Sequence, residues 1–173
     1  MKINKIILVT VLVMSGWIAN AQAQFEKFED IDGVTSVVVT QKAFSLMSKI
    51  GSESDEEYMD LIKNIESLRV FATESAEVAI QMEKAATSYL KSANLEKLMT
   101  VKEDGSNITI YVKEGKSEDF VKELFMFVKD SDKTSKESVI ISLTGDIDLN
   151  QIAKLTDKMD LPGGEHLEKA SKQ

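Results

Sequence analysis

Midway along this 173-residue chain the hydrophobic pattern changes period, and that change constrains the fold more than any other feature. In the first half, Ala43, Leu46, Met47 and Ile50 recur at i, i+3, i+4 and i+7 and stop at Gly51, the spacing of one helix face closed by a glycine cap. Ser54 to Glu57 reads as a capping box ahead of a second apolar face, Tyr58, Leu61, Ile62 and Ile65. The longest helix is expected over residues 74–91, with Val78, Met82, Ala85, Ala86 and Tyr89 along one side. Beyond it, Ile108, Ile110 and Val112 alternate with Thr109, Tyr111 and Lys113, the period of a half-buried strand. Asp104-Gly105 then joins this strand to residues 98–102 as a hairpin.

Strands are also expected at 34–40, where six of the seven residues are β-branched, and at 68–73 and 139–143. Residues 120–129 fit two periods. Val121, Leu124, Phe125 and Val128 suit a helix; Leu124, Met126 and Val128 against Phe125 and Phe127 suit a strand buried on both faces. The strand is favoured, because 139–143 needs a hairpin partner across the polar connection 130–137. A last helix is expected over 149–159, stopped by Leu161-Pro162-Gly163-Gly164, with a flexible tail from about residue 165. The order β-α-α-β-α-β-β-β-β-α predicts an α+β fold: a largely antiparallel sheet with helices packed on one face, related to ferredoxin-like split βαβ architectures. Residues 25–32 read as a short acidic lead.

The chain begins as an export signal would: Lys2 and Lys5, an apolar run of 13 residues from 6 to 18, then Ala21-Gln22-Ala23. A bilayer-spanning helix needs roughly 20 apolar residues. We therefore expect cleavage after Ala23 (or after Ala21), a domain spanning 24–173, and a soluble periplasmic or secreted product. Without cysteine there is no N-terminal lipid attachment, disulfide, thiol nucleophile or thiolate metal site. Removing Lys2 and Lys5 from 21 basic against 29 acidic residues leaves 19 minus 29, a net charge of −10. That sign opposes nucleic acid and anionic membranes as partners, and the single arginine, Arg69, cannot form a guanidinium cluster.

Asp146, Asp148, Asn150 and Asp157 occupy the first, third, fifth and twelfth places of a calcium loop, but Gln151 stands where that loop needs glycine and Asp157 where it needs a bidentate Glu. Asp148 as helix cap, with Gln151 reaching back, explains the pattern better. His166 is the only histidine, so a catalytic triad or a multi-histidine zinc site is excluded by counting. No phosphate-binding glycine loop occurs. Counting leaves open a carboxylate-pair hydrolase, for which Glu29, Asp30, Asp32 and residues 53–57 are the acidic clusters. No catalytic, cofactor or metal residues are assigned.

Taken together, FEKFEDIDGVTSVVVTQKAFSLMSKI, ESLRVFAT, LMTVKEDGSNITIYVKEG and VIISLTGDIDLNQIAKL resemble the family known as domain of unknown function 4252, across nearly all of the expected mature chain. The resemblance implies a small exported protein of Gram-negative bacteria and supplies no catalytic residues. The leading expectation is a non-enzymatic binding module whose partner is an unidentified envelope protein, with no cofactor. A hydrolase of an envelope polymer, or a carrier holding an apolar ligand in an internal cavity, are the alternatives.

Overall fold

The structure, a computed structural model, describes residues 23–50, 56–103, 105–130 and 137–151. In chain order these form α1 (Ala23–Glu26), β1 (Val34–Thr40), α2 (Gln41–Ile50), α3 (Glu56–Lys63), β2 (Ile65–Thr73), α4 (Ala76–Ser92), β3 (Glu96–Glu103), β4 (Ser106–Glu114), β5 (Phe120–Asp130) and β6 (Ser138–Asp148), then one 3-10 turn, Leu149–Gln151. The α+β class and the element order are those the periodicity predicts. The segment that fitted two periods is β5, paired along its length with β6, Met126 opposite Ile141 and Phe127 opposite Ile140. The expected hairpin is also present: Glu103 faces Ser106, leaving a two-residue loop in which Gly105 has φ 88°.

All six strands form one sheet in the order β1-β2-β6-β5-β4-β3, every neighbouring pair antiparallel. Crossover parity accounts for this order. Two helices, α2 and α3, carry the chain away and back, so β2 runs antiparallel to β1 and sits beside it. One helix, α4, returns the chain to the end where β2 began, so β3 runs parallel to β2 and cannot pair with it through a short turn. The three-strand meander β4-β5-β6 then fills the gap between them. The split βαβ principle of ferredoxin-like folds is therefore present, but three strands open the split and α4 crosses a wide sheet.

Helices lie on both faces, which corrects the one-face expectation. Phe44 of α2 and Leu61 and Ile62 of α3 join Leu68, Val70, Met126 and Ile141 on one face. Val78, Met82, Ala86 and Tyr89 of α4 join Phe71, Phe125 and Ile140 on the other. The reason is in the central strands: successive residues such as Phe125 and Met126, or Ile140 and Ile141, point to opposite faces and are all buried, so both faces need covers. The acidic lead also does more than its charge suggests. Phe25 and Phe28 are fully buried under α4, with the Phe25 ring 5.1 Å from Tyr89 and 5.7 Å from Phe125.

Element ends follow local hydrogen bonding. The α3 helix stops at Lys63 because the Asn64 side chain donates to the Asp60 carbonyl at 2.9 Å, which releases Ile65, expected on the helix face, into β2. Ser75 caps α4, its side chain accepting from Val78 N, so this helix starts two residues later than the apolar pattern suggests. Thr73 Oγ1 donates to Gly33 O at 2.7 Å and pins the end of β2 to the start of β1. The Ser54–Asp55 half of the capping box, the connection 131–136 and the expected helix beyond Gln151 lie outside the described residues.

Candidate functional site

The central strands β5 and β6 are buried on both faces. Clefts open at the surface among the described residues. One, about 420 Å³, lies where β1 begins and β2 ends, with Gly33, Thr73, Glu74, Ser75 and Glu137 around it. Another, about 400 Å³, lies at the loop between β4 and β5, with Leu98, Lys116, Phe120, Val121 and Leu149. Their walls are mostly exposed side chains.

Among the described residues, the one buried acid is Glu123. A β-bulge between Val121 and Glu123 shifts the alternation of β5 by one residue, so Val121 and Leu124 both face the α2–α3 side and Glu123 turns under α4. There it is 6% exposed, accepts hydrogen bonds from Tyr89 Oη at 2.6 Å and Ser142 Oγ at 3.3 Å, and faces Lys113 across the strand pair. Burial raises its pKa above the ordinary value of 4.5; the hydrogen bonds from Tyr89 and Ser142 and the charge of Lys113 pull the other way. Tyr89 in turn packs edge-on against Phe25 and tilted against Phe125. This arrangement fastens the C-terminal part of α4 to the middle of the sheet. Glu123 lines neither cleft.

The acidic residues singled out from the sequence are dispersed. Glu29, Asp30 and Asp32 are exposed before β1, and residues 53–55, Asp157 and His166 lie outside the described residues. Asp146, the first place of the calcium-like pattern, accepts from Lys116 Nζ at 2.7 Å, with Lys122 Nζ at 3.9 Å; the Lys116 hydrogen bond draws its pKa down. With 31% of the Asp146 side chain and 56% of Lys116 exposed, the pair is screened by water and adds little to stability.

What the sequence reading missed is the difference between the two sheet edges. The β3 edge is guarded in the way natural edges are: Glu96, Lys97, Lys102 and Glu103 supply charge at both ends, and a bulge between Lys97 and Met99 breaks its regularity. The β1 edge has neither device. Its seven residues, Val-Thr-Ser-Val-Val-Val-Thr, carry no charge, proline or glycine, and they pair with β2 in unbroken register. Val37 and Val38 are 36% and 39% exposed on opposite faces, and Leu46 and Met47 of the adjoining α2 are 50% and 37% exposed. Four of the six large apolar side chains exposed among the described residues thus belong to β1 and to α2, which follows it directly in the chain. An uncharged run was visible at 34–40, but only the strand order shows that no described strand pairs with it on one side.

Residues 28–155 match the family model for domain of unknown function 4252. The chain belongs to that family. No curated protein matches it, and no solved structure does. The family match takes in both features just described: Glu123 with its partners Tyr89 and Ser142, and the whole β1–α2 edge. It starts at Phe28, the second buried aromatic under α4, and leaves Phe25 just outside.

Proposed function

We propose that this member of the domain of unknown function 4252 family is an exported, non-enzymatic interaction module that binds another exported protein by extending its sheet at β1. The observation that carries the reading is the β1–α2 edge, an unguarded strand flanked by Val37, Val38, Leu46 and Met47 in a chain of net charge −8. An open strand offers a row of backbone donors and acceptors that an incoming strand satisfies, while exposed valines on both faces add apolar contact. Export is supported by Lys2 and Lys5, the apolar run and Ala21-Gln22-Ala23. Cleavage after Ala23 leaves the buried Phe25 within the mature chain. No described helix is long and apolar enough to cross a membrane.

A photo-crosslinking residue placed at Val38 in the native host tests this directly. Adducts with an exported protein at Val38, and none from the same probe at Thr100 on the guarded β3 edge, are the expected result. Equal labelling from both edges, or none from Val38, would reject the surface.

A further inference from the structure

We infer that the β1 edge pairs with β1 of a second copy of this chain, antiparallel about Val37, joining two six-stranded sheets into one continuous twelve-stranded sheet. The inference rests on the reading above and identifies the partner strand.

The register follows from strand geometry. In an antiparallel strand the backbone groups of alternate residues point to the same side, so only every second residue of β1 presents its N–H and C=O to the free edge. Two identical strands related by a two-fold axis can bond only if each outward residue is placed opposite another outward residue. Their positions must then share parity, which requires the axis to pass through a residue and not between two. For all seven residues of Val34–Thr40 to overlap, that residue is Val37. Val34 then faces Thr40 of the second copy, Thr35 faces Val39, Ser36 faces Val38, and Val37 faces itself. Every pair is small or β-branched and uncharged, combinations that pack well across strands.

The charges beyond the strand ends fit the same register. Asp32 stands two residues before Val34 and Lys42 two residues after Thr40, both exposed. Pairing about Val37 brings Asp32 of one copy to the end where Lys42 stands in the first turn of α2 of the other, and symmetry repeats the match at the far end. Nor does any acid interrupt Val34–Ile50, the whole of β1 and α2, although 29 acidic residues are spread through the chain. Two copies can meet here without setting carboxylate against carboxylate.

Size sets the expected strength. A seven-residue strand is about 23 Å long, and its pairing alone falls short of the roughly 1,200 Å² that stable interfaces bury. Leu46 and Met47 of α2, the helix that follows β1 directly, are the nearest exposed apolar side chains in sequence that could add to it, and the association is expected in the micromolar range.

The test is the mass of the mature chain in solution, by light scattering or sedimentation, from about 1 to about 200 µM. The expected result is a shift from one chain to two across that range. Val37→Lys and Val37→Glu each set like charges face to face on the axis, so each variant should stay single, at least about tenfold weaker in self-association. Mixing the two in equal amounts should restore a pair containing one of each, read by native mass spectrometry. Should either variant melt well below the wild type when dilute, Asp32→Lys and Lys42→Asp replace them: each alone weakens pairing, and the double variant restores it. A wild type that remains single throughout, a Val37→Lys variant that pairs as the wild type does, or a mixture that forms no mixed pair would overturn the inference. A single-chain wild type that still crosslinks through Val38 to a different exported protein would overturn self-pairing alone and leave the interaction module standing.

Discussion

Replacing Tyr89 with Phe isolates one hydroxyl in the core. The ring keeps its neighbours, Phe25 at 5.1 Å and Phe125 at 5.2 Å, while Glu123 loses the donor at 2.6 Å and retains only Ser142 at 3.3 Å among the hydrogen bonds described above. A hydrogen bond to a neutral group contributes about 0.5–1.5 kcal/mol and one to a charged group about 1.5–3 kcal/mol, so the loss depends on whether Glu123 is ionised. Burial raises the Glu123 pKa in the folded protein above its ordinary value of 4.5. Above that ordinary value the unfolded chain has released the proton that the folded chain still holds. Stability from this group is therefore fully present below the unfolded pKa and is lost as pH rises through the folded pKa. Two signatures follow. Glu123→Gln, which cannot ionise, should nearly match the wild type at about pH 4 and gain on it by about pH 8; Tyr89→Phe should be more damaging at the higher pH. In a domain of this size a loss of about 2 kcal/mol lowers the melting temperature by roughly 6 °C. Urea or thermal unfolding of both single variants and the double variant at three pH values measures this. If Glu123→Gln were less stable relative to the wild type at pH 8 than at pH 4, the account of Glu123 as an acid penalised by burial would be refuted.

Three other outcomes are expected. Phe25→Ala, which empties a fully buried ring site under α4, should reduce the stability of the chain by about 3–5 kcal/mol in urea unfolding, although Phe25 lies in what reads as a polar lead. Gly145→Ala should reduce it by about 3 kcal/mol or more, because Gly145 has φ 146° and an added Cβ would run into the backbone oxygen of Asn64, next to the start of β2. Mass spectrometry of the protein recovered from its host should give an N-terminus at Gln24, and an intact Met1 would contradict export.

The element order was legible because most segments hold a single period, helical or alternating, and even the segment 120–129 was decided by the need of Val139–Leu143 for a partner. What escaped the sequence depends on long-range geometry. The bulge that turns Glu123 beneath α4 leaves Val121, Leu124 and Phe125 looking equally like helix or strand, so nothing local marks Glu123 as interior. Phe25 and Phe28 are separated by Glu26 and Lys27 and followed by Glu29 and Asp30, so their burial is hidden among charges. Helices on both faces follow from strands buried on both sides, a pattern already present in 139–143 but outweighed by the half-polar alternation of 108–113. The edge position of β1 depends on crossover parity, which a list of elements does not contain.

That parity also bears on where the molecule can act. Because α2 and α3 return the chain to the end it left, β1 is added outside β2, and no later strand among the described residues is placed on its far side. At the opposite edge, β3 follows a single crossover and carries charge at both ends. A sheet whose central strands are buried on both faces offers other molecules its rim, and one side of that rim is defended by charge while the other is not. Natural edges left as regular and uncharged as Val34–Thr40 invite pairing. If the chain stays a single, unpaired species in its own compartment, some other contact has to cover Val37, Val38, Leu46 and Met47, and the Val38 crosslink would identify it.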